Sequence, residues 1–472
     1  MQKFIAKSSE LFDRFDPKYV AFKRRAANFR YPAVKMGSLL SESPEYGAGE
    51  AGIERVDEAT PRYIRITDID ENGELLPGLG MTAANVEPQY FLRDGDLLFA
   101  RSGNTVGKSY LHESGQVPYP CFYAGYMIRF RFSEKVLPKY VFAFAQTPYY
   151  HEWVSAIQRS AGQPNINAQE YRSLEIPLPP LLEQRKIVAE LDAAYAAKRK
   201  ADEKATKLLA SIDYMVLKEL GIAKLPKPDT SLSSRIFTVP AKEVLNGRLD
   251  SYSYSPFFAD NLKRIRTNGY WRLGELVTLS HRQWDQKEWM GNASGDFPYI
   301  EIGAISVEDG EIGNVERVPI ADAPSRAKMM VVADDLLVSL TRPTRRAIAF
   351  AIDEAIASTG FAVIHGFSDE VMPEYLSVIL RSGLCTYQFD QRSTGGNYPA
   401  ITEEQLLRCE IPKVSKQAQS RIASAASSIR AEARKLKADA TAALDAAKRK
   451  IEARIVAADQ VIAEAPAKKA AI

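Results

Sequence analysis

Apolar and polar positions follow two different periods along this chain. Residues 126–132 alternate every second position, which predicts a half-buried strand. Further strands are predicted at 62–66, 96–100, 299–302, 336–340 and 361–364. The turn-forming dipeptides Asn72-Gly73 and Asp94-Gly95 lie between strands of the first half. Helical spacing follows at 139–157 and again at 373–382. The pattern therefore predicts a strand-rich segment that ends in a helix, twice.

Two longer stretches carry the three- and four-residue spacing of an amphipathic helix. The apolar or small positions of the first are Ile187, Leu191, Ala194, Ala201, Ala205, Leu208, Ile212 and Met215. Those of the second are Ile422, Ala426, Ile429, Ala433, Leu436, Ala440, Leu444, Ala447, Ile451 and Ile455. Because a lone helix gains most of its stability from packing its apolar face, we expect the two to form an antiparallel pair. The alternative is that each helix folds back on its own globular domain.

Short motifs recur at a constant or nearly constant offset, so the chain is an internal repeat. Ile176-Pro177 recurs as Ile411-Pro412, and Pro138-Lys139-Tyr140 as Pro373-Glu374-Tyr375. A repeat this long is a whole domain with its helix, because solenoid units span only roughly 20 to 50 residues. We predict an α+β fold with two strand-rich domains and two long antiparallel helices that separate them. The predicted boundaries are 1–180, 181–228, 229–412 and 413–472.

Composition limits the class of protein. The 472 residues suggest two or three domains, and 46% hydrophobic with 26% charged residues is typical of globular proteins. Residues 1–30 contain no apolar leader segment and no apolar run has membrane-spanning length, so we expect a cytoplasmic protein. The three cysteines and four histidines are scattered, which argues against a metal site or a disulfide framework.

Charge is unevenly distributed although the net charge is only +3. Residues 229–412 are acidic and residues 413–472 are basic. Any contact with DNA must therefore come from local basic patches on neutral or acidic domains.

Residues 103–109, Gly-Asn-Thr-Val-Gly-Lys-Ser, resemble a nucleotide-binding loop but are one residue too short between the glycines. The second half has no such loop and carries Arg342, Arg345 and Arg346 at the equivalent place. We predict that both loops contact a nucleic acid, since amides, hydroxyls and basic side chains bind phosphates and arginine pairs with guanine. The alternative is two ordinary solvated turns.

Residues 160–167 and 393–399 form a second pair of polar loops. Asparagine and glutamine suit adenine edges and a tyrosine can stack or bind phosphate, but these loops could equally cap the segments that follow. The candidate DNA-binding residues are Arg101, Ser102, Asn104, Lys108, Ser109, Gln163, Asn165, Asn167, Arg342, Thr344, Arg345, Arg346, Asn397 and Tyr398.

Motifs of catalysis are missing from the sequence. There is no Asn-Pro-Pro-aromatic methylation motif, no nucleophile elbow and no paired-histidine zinc motif. The chain is therefore predicted to bind and not to catalyse.

Residues 174–188, Leu-Glu-Ile-Pro-Leu-Pro-Pro-Leu-Leu-Glu-Gln-Arg-Lys-Ile-Val, closely resemble the junction between recognition domain and spacer helix in specificity subunits of type I restriction–modification systems. Residues 94–103, followed by Gly107-Lys108, look like the first-domain signature of the same family. The second copy departs from the junction, with residues 412–417 in place of the double proline and Ser420 where the first copy has Arg185. The resemblance covers nearly the whole chain.

The resemblance implies that each domain binds one half of a bipartite double-stranded DNA target and that the helices set the spacing. It also implies two methyltransferase subunits that flip an adenine and use S-adenosylmethionine, and motor/nuclease subunits that use ATP with Mg²⁺. No cofactor would be bound by this chain itself. The alternatives are the specificity partner of a fused methylase–nuclease that cuts on both sides of its site, and a non-catalytic protein-interaction scaffold.

Overall fold

A computed structural model describes residues 17–25, 29–158, 164–224, 229, 231–245, 248, 250–285, 295–313 and 315–456. The chain divides into two compact units, here called the first unit (Met1–Lys200 with Asp439–Ile472) and the second unit (Ala201–Ala438). Both divisions fall inside long helices, so each unit contains part of each long helix. The boundaries predicted for the recognition domains remain a prediction.

Short helices and strands build the first unit. Its short helices are α1 (Pro17–Arg25), α2 (Pro138–Phe144), α3 (Pro148–Ile157) and α4 (Ala168–Arg172). Its strands are β1 (Ala33–Lys35), β2 (Glu45–Tyr46), β3 (Ile53–Glu54), β4 (Arg62–Ile64), β5 (Met81–Thr82), β6 (Leu97–Ala100), β7 (Ser109–Leu111), β8 (Cys121–Tyr123), β9 (Met127–Phe130) and β10 (Glu175–Pro177). The first long helix is α5 (Leu181–Glu219).

The second unit repeats this order. Its short helices are α6 (Ala241–Leu245), α7 (Pro256–Arg266), α8 (Leu273–Leu276), α9 (Pro373–Arg381), α10 (Gly383–Arg392) and α11 (Glu403–Leu407). Its strands are β11 (Tyr270–Arg272), β12 (Val277–Leu279), β13 (Asp296–Ile300), β14 (Glu316–Pro319), β15 (Ala327–Val331), β16 (Leu336–Ser339), β17 (Ile348–Phe350), β18 (Ala355–Ser358), β19 (Phe361–Phe367) and β20 (Glu410–Pro412). The second long helix is α12 (Lys416–Ile455).

Sheet order shows that the repeat is structural. In the described residues the antiparallel sheet runs β2-β9-β6-β7 in the first unit and β12-β19-β16-β17 in the second. A second, mixed sheet contains one parallel pair in each unit, β4 with β8 and β13 with β18. The mixed sheets differ at their edges, because their orders are β3-β5-β4-β8 and β14-β13-β18-β15. The predicted α+β fold with two strand-rich segments is confirmed.

The single helix predicted over 139–157 is two helices in the structure. Pro148 interrupts the pattern because its ring removes a backbone donor and clashes with the preceding turn. The Thr147 side chain then accepts a hydrogen bond from the Tyr150 amide and starts α3. Periodicity alone therefore missed a break that the proline encodes.

The two long helices pack antiparallel, as the apolar spacing predicts. In the first unit, Ile187 and Leu191 near the start of the first long helix share a core with Ile451 and Ile455 near the end of the second. Arg454 also forms ion pairs with two glutamates of the first long helix, at 2.5 Å and 2.8 Å.

In the second unit the opposite ends meet. Val216 and Leu220 of the first long helix share a core with Ile422 and Ala426 of the second, and Arg421 pairs with a glutamate there at 3.2 Å. Both cores also contain side chains of the local sheet and short helices. Pairing of the helices and packing on the domains therefore occur together.

A buried glutamine fixes each long helix to its own unit. Gln184 is 1% exposed, accepts from the Leu137 amide at 2.9 Å and donates to the Pro179 carbonyl at 2.9 Å. Gln419, which is fully buried, accepts from the Met372 amide at 2.7 Å in the second copy. These contacts explain why a glutamine occurs at the equivalent position in both copies of the junction.

A hairpin turn of each mixed sheet contacts the long helices. In the first unit, the Tyr195 hydroxyl donates to the Asn72 carbonyl at 2.7 Å and the Lys448 ammonium to the Asn72 side chain at 2.9 Å. In the second unit, Glu308 and Glu311 of the corresponding hairpin form ion pairs with two basic residues of the second long helix. The sheets are thereby anchored to the helices through their turns.

Candidate nucleic-acid interface

In the first unit, the two polar loops predicted separately lie side by side. The loop that follows β6 pairs with residues 164–166, because Ser102 forms a β-bridge with Asn165 and the Gly103 amide donates to the Pro164 carbonyl at 3.0 Å. The Ile166 amide donates to the Arg101 carbonyl at 2.8 Å. Gln163 lies outside the described residues. The loops thus form one surface at the end of the antiparallel sheet.

Two tyrosines extend this surface, and sequence reasoning missed both. The Arg101 guanidinium lies over the Tyr46 ring, 4.8 Å from its centroid. Tyr126, whose carbonyl accepts from the Arg101 amide at 2.9 Å, is 68% exposed. Tyr126 is the first residue of the alternating run at 126–132 and immediately precedes β9. Its position at a strand end could therefore have been predicted from the sequence. Cation–π contact holds the arginine beside a flat aromatic face.

The rest of the first loop divides into exposed and internally bonded residues. Asn104 is exposed and Asn165 is half-buried. Lys108 instead donates to the Ile69 carbonyl at 2.9 Å, and Ser109 is 2% exposed and accepts from the Gln146 amide group at 2.9 Å. Asn167 caps α4, as the alternative interpretation of this loop predicts. Lys108, Ser109 and Asn167 therefore bond within the protein in this conformation.

The second unit brings its own two loops together in the same way. Thr341 forms a β-bridge with Ala400, and the Arg342 amide donates to the Pro399 carbonyl at 2.7 Å. The Arg342 side chain donates to the Asn397 carbonyl at 3.0 Å and lies 4.3 Å from the centroid of the Tyr398 ring. An arginine on an exposed tyrosine thus recurs at the paired loops of both units.

The arginine loop has an uncommon backbone. Arg342 (φ 50°) and Arg346 (φ 65°) are both left-handed and flank the 3₁₀ turn Pro343–Arg345. For a residue other than glycine this conformation costs roughly 1–2 kcal/mol, so surrounding contacts must hold it. The hydrogen bonds from the Arg342 amide to the Pro399 carbonyl and from the Arg345 amide to the Arg342 carbonyl are among these contacts.

Basic side chains of this loop border an open cavity of about 630 Å³. Its lining includes Arg326, Arg342, Arg345 and Tyr398. Arg326 immediately precedes β15, and sequence reasoning missed it. Thr344 and Arg345 are exposed, whereas Arg346 turns away and pairs with Asp213 at 2.8 Å. Three guanidiniums beside an exposed tyrosine suit a phosphate backbone and base edges.

Neither a metal centre nor a membrane segment emerges from the described part of the chain. Its His, Cys, Asp and Glu side chains form no group of three or more that could hold a metal ion. None of its helices combines the length and apolar character that a bilayer crossing requires.

Residues 81–207 match the family model described as "Type I restriction modification DNA specificity domain". This segment spans β6, the first loop pair, the junction and the start of the first long helix. The predicted resemblance to type I specificity subunits is confirmed.

Individual relatives are named as specificity subunits of type I restriction enzymes. The chain is 25% identical over 217 residues to the EcoKI specificity subunit of Escherichia coli (strain K12), which covers 44% of this chain and 43% of the relative. It is 31% identical over 155 residues to the HindI specificity subunit of Haemophilus influenzae (strain ATCC 51907 / DSM 11121 / KW20 / Rd), covering 32% of each chain. The aligned parts span less than half of either relative.

A solved structure described as showing complex assembly and conformational transition of the type I R-M system is also similar. It shares 18% identity and a TM-score of 0.46, with 90% of this chain and 98% of that chain covered.

Proposed function

We propose that the chain is the DNA sequence-specificity subunit of a type I restriction–modification enzyme. Each unit would bind one half of a bipartite double-stranded target through its paired loops. The long helices would set the number of unread base pairs between the halves. The chain itself would perform no catalysis, in keeping with its family.

One observation carries the proposal more than any other. Both units present an arginine over an exposed tyrosine where the two loops meet, Arg101 with Tyr46 and Arg342 with Tyr398. The surrounding loop residues differ between the units, so two such surfaces would select different half-sequences. Arginine forms bidentate hydrogen bonds with guanine, and each such pair contributes about 1–3 kcal/mol of discrimination.

The proposal includes partners. Two methyltransferase subunits would dock on the helices and domains, with S-adenosylmethionine bound to them. Motor/nuclease subunits would use ATP with Mg²⁺. These assignments follow from the family and from the names of the relatives, which are specificity subunits of type I restriction enzymes.

The half-site assignment is tested by removing two guanidiniums of the arginine loop. We expect Arg342→Ala with Arg345→Ala to weaken binding at one half-site by roughly tenfold or more, since each lost base or phosphate contact is worth about 1–3 kcal/mol. Affinity would be measured by gel shift on duplexes altered in one half at a time. As a matched control, Arg317→Ala removes an arginine that pairs with Asp296 on β13 at 2.9 Å. Equal loss at both halves would contradict separate readers.

A further inference from the structure

Arg381 carries a charge in the interior of the second unit. Its side chain is 6% exposed and donates to the carbonyls of Arg346, Ile348 at 3.3 Å and Val307 at 3.0 Å. Arg346 and Ile348 end the arginine loop, and Val307 lines the 630 Å³ cavity beside that loop. One guanidinium therefore joins the end of the arginine loop to a residue that lines the cavity.

The hydrogen bonds of this arginine position main-chain carbonyls relative to one another. Burial, with the nearby charges of Arg430 and Arg346, lowers the pKa of Arg381 to about 10. A buried charge is tolerated only when its donors are satisfied, and here main-chain oxygens accept them. The fork geometry of the guanidinium then dictates the separation of the carbonyls that it joins.

The first unit has a related device at the equivalent position. Since Tyr140 corresponds to Tyr375 in the repeat, Gln146 corresponds to Arg381. Gln146 is 4% exposed and donates to the Ser109 hydroxyl, at the end of the first polar loop, at 2.9 Å. In the first unit, the buried Gln146 lies just after α2 and bonds to the end of the first polar loop. In the second unit, the buried Arg381 is the last residue of α9 and bonds to the end of the arginine loop.

Both the main-chain carbonyl and the guanidinium of Arg346 have bonding partners. Arg381 binds its carbonyl, and its guanidinium pairs with Asp213 of the first long helix at 2.8 Å. Asp213 also accepts from the Gly383 amide at 3.2 Å, which fixes the carboxylate. The left-handed backbone of Arg346 is thereby held by its main chain and its side chain together.

We propose that Arg346 and Arg381 are positioning residues that, with Asp213, hold Arg342 and Arg345 in the conformation that contacts one DNA half-site. Arg346 itself makes no contact with DNA. The inference rests on the proposed function and gives Arg346 a different role from the one predicted from its place in the basic stretch.

Exchange of the ion pair tests this role. The full-length chain, Asp213→Arg, Arg346→Asp and the double variant would each select from a duplex pool of random sequence, and bound duplexes would be sequenced. We expect each single variant to lower enrichment at one half-site by about tenfold, a difference of about 1.4 kcal/mol. The double variant restores that enrichment to within about threefold, because the pair re-forms with its charges exchanged. Enrichment at the other half-site stays unchanged in all variants.

Three results would separate the possible failures. If the natural chain reads both halves but the double variant stays as weak as Arg346→Asp, Arg346 contacts DNA directly and the inference is wrong. If the natural chain enriches no sequence, the proposed function fails and the inference fails with it. Arg381→Lys keeps the charge but loses the fork, so it should weaken the same half-site as Arg346→Asp. Unchanged reading by a folded Arg381→Lys chain would also overturn the inference.

Discussion

At the scale of single residues, the glutamines of the junction show how a motif encodes packing. We expect Gln184→Ala and Gln419→Ala each to lower the free energy of unfolding by about 1–3 kcal/mol, because the backbone groups that bond to each buried glutamine then lose their partner. Unfolding in urea, followed by circular dichroism of the full chain, measures the loss. Gln169→Ala changes an exposed glutamine of α4 and should have an effect within about 0.5 kcal/mol. Comparable losses for Gln169 and Gln184 would show that the junction hydrogen bonds contribute little.

Two glutamates of the helix pair in the first unit should respond to pH in opposite directions. Burial raises the pKa of Glu452, although the hydrogen bond from the Tyr149 amide opposes the shift. The stabilising contribution of the protonated form is therefore present at low pH and is lost as the pH rises through the folded pKa. We expect Glu452→Gln to raise the urea midpoint at pH 7 and to leave it unchanged near pH 3.5, below the ordinary glutamate pKa of about 4.3.

Glu190 provides the matched control. Its hydrogen bond with Lys450, supported by Arg454, lowers its pKa. Ionised Glu190 therefore stabilises the fold above the ordinary pKa, and that contribution is lost as the pH falls through the folded pKa. Glu190→Gln should lower the midpoint at pH 7 and match the natural chain at low pH. Midpoint shifts of the same sign for both variants would contradict this account.

The side chains of the candidate interface were only partly predictable. Turn and charge patterns found Arg101, Arg342 and Tyr398 because loops at strand ends are where sheets present polar groups. The same patterns included Ser109 and Lys108, whose partners Gln146 and Ile69 come from distant parts of the chain. Hydrogen bonds between such distant residues leave no local signal, so the sequence of a loop cannot show which of its side chains turn inward.

At the scale of elements, a close approach of backbones fixes the first hairpin turn. Gly73 has φ 79°, and an added Cβ would lie 2.6 Å from the Ser109 carbonyl and 2.7 Å from the Phe142 ring. We expect Gly73→Ala to cost about 2–5 kcal/mol, the sum of a left-handed backbone and an overpacked core. Urea unfolding of the full chain measures the loss.

Gly221→Ala separates the two contributions. Gly221 has a similar φ of 65°, but no atom lies within 4 Å of the place that an added Cβ would take. Only the backbone cost of about 1–2 kcal/mol should remain there. If both alanine variants lost the same stability, contact between the turn, β7 and α2 would play no part.

The type of an element was predictable where a single apolar period ran through its sequence. The contacts of an element were not predictable where its partners lie far away in the chain. The long helices and the central strands β6 and β16 follow the apolar pattern directly. The strand β9 forms where alternation predicts it, but the predicted half-burial is wrong because all four of its residues are buried. The hairpins that dock on the helices carry polar residues such as Asn72, Glu308 and Glu311, which are typical of ordinary solvated turns. Their partners lie on helices that the chain reaches more than a hundred residues away.

At the scale of the whole molecule, duplication separates what is kept from what varies. Both copies keep the buried glutamine, the tyrosine that donates to the junction proline carbonyl (Tyr140 at 2.5 Å and Tyr375 at 2.9 Å) and the order of the antiparallel sheet. The loops at the sheet end differ in sequence. A scaffold that is repeated while its surface loops diverge suits two readers of different sequences.

The helices set the spacing in the proposed mechanism, and a matched insertion tests this. Seven helix-forming residues inserted after Lys200, with seven more after Ala438, would lengthen both helices where the units divide. At about 1.5 Å per residue this adds roughly 10 Å, and about two full helical turns keep the apolar seam aligned to within roughly 20°. Since DNA rises roughly 3.4 Å per base pair, we expect the unread spacer to grow by about three base pairs while both half-sites stay the same. Mapping methylated motifs in a host that also carries the partner methyltransferase reads the spacer directly. The same seven residues inserted after Ser231, outside the helices, should leave it unchanged. An unchanged spacer in the helix variant, or an altered one in the Ser231 variant, would mean that the helices are not what sets the distance.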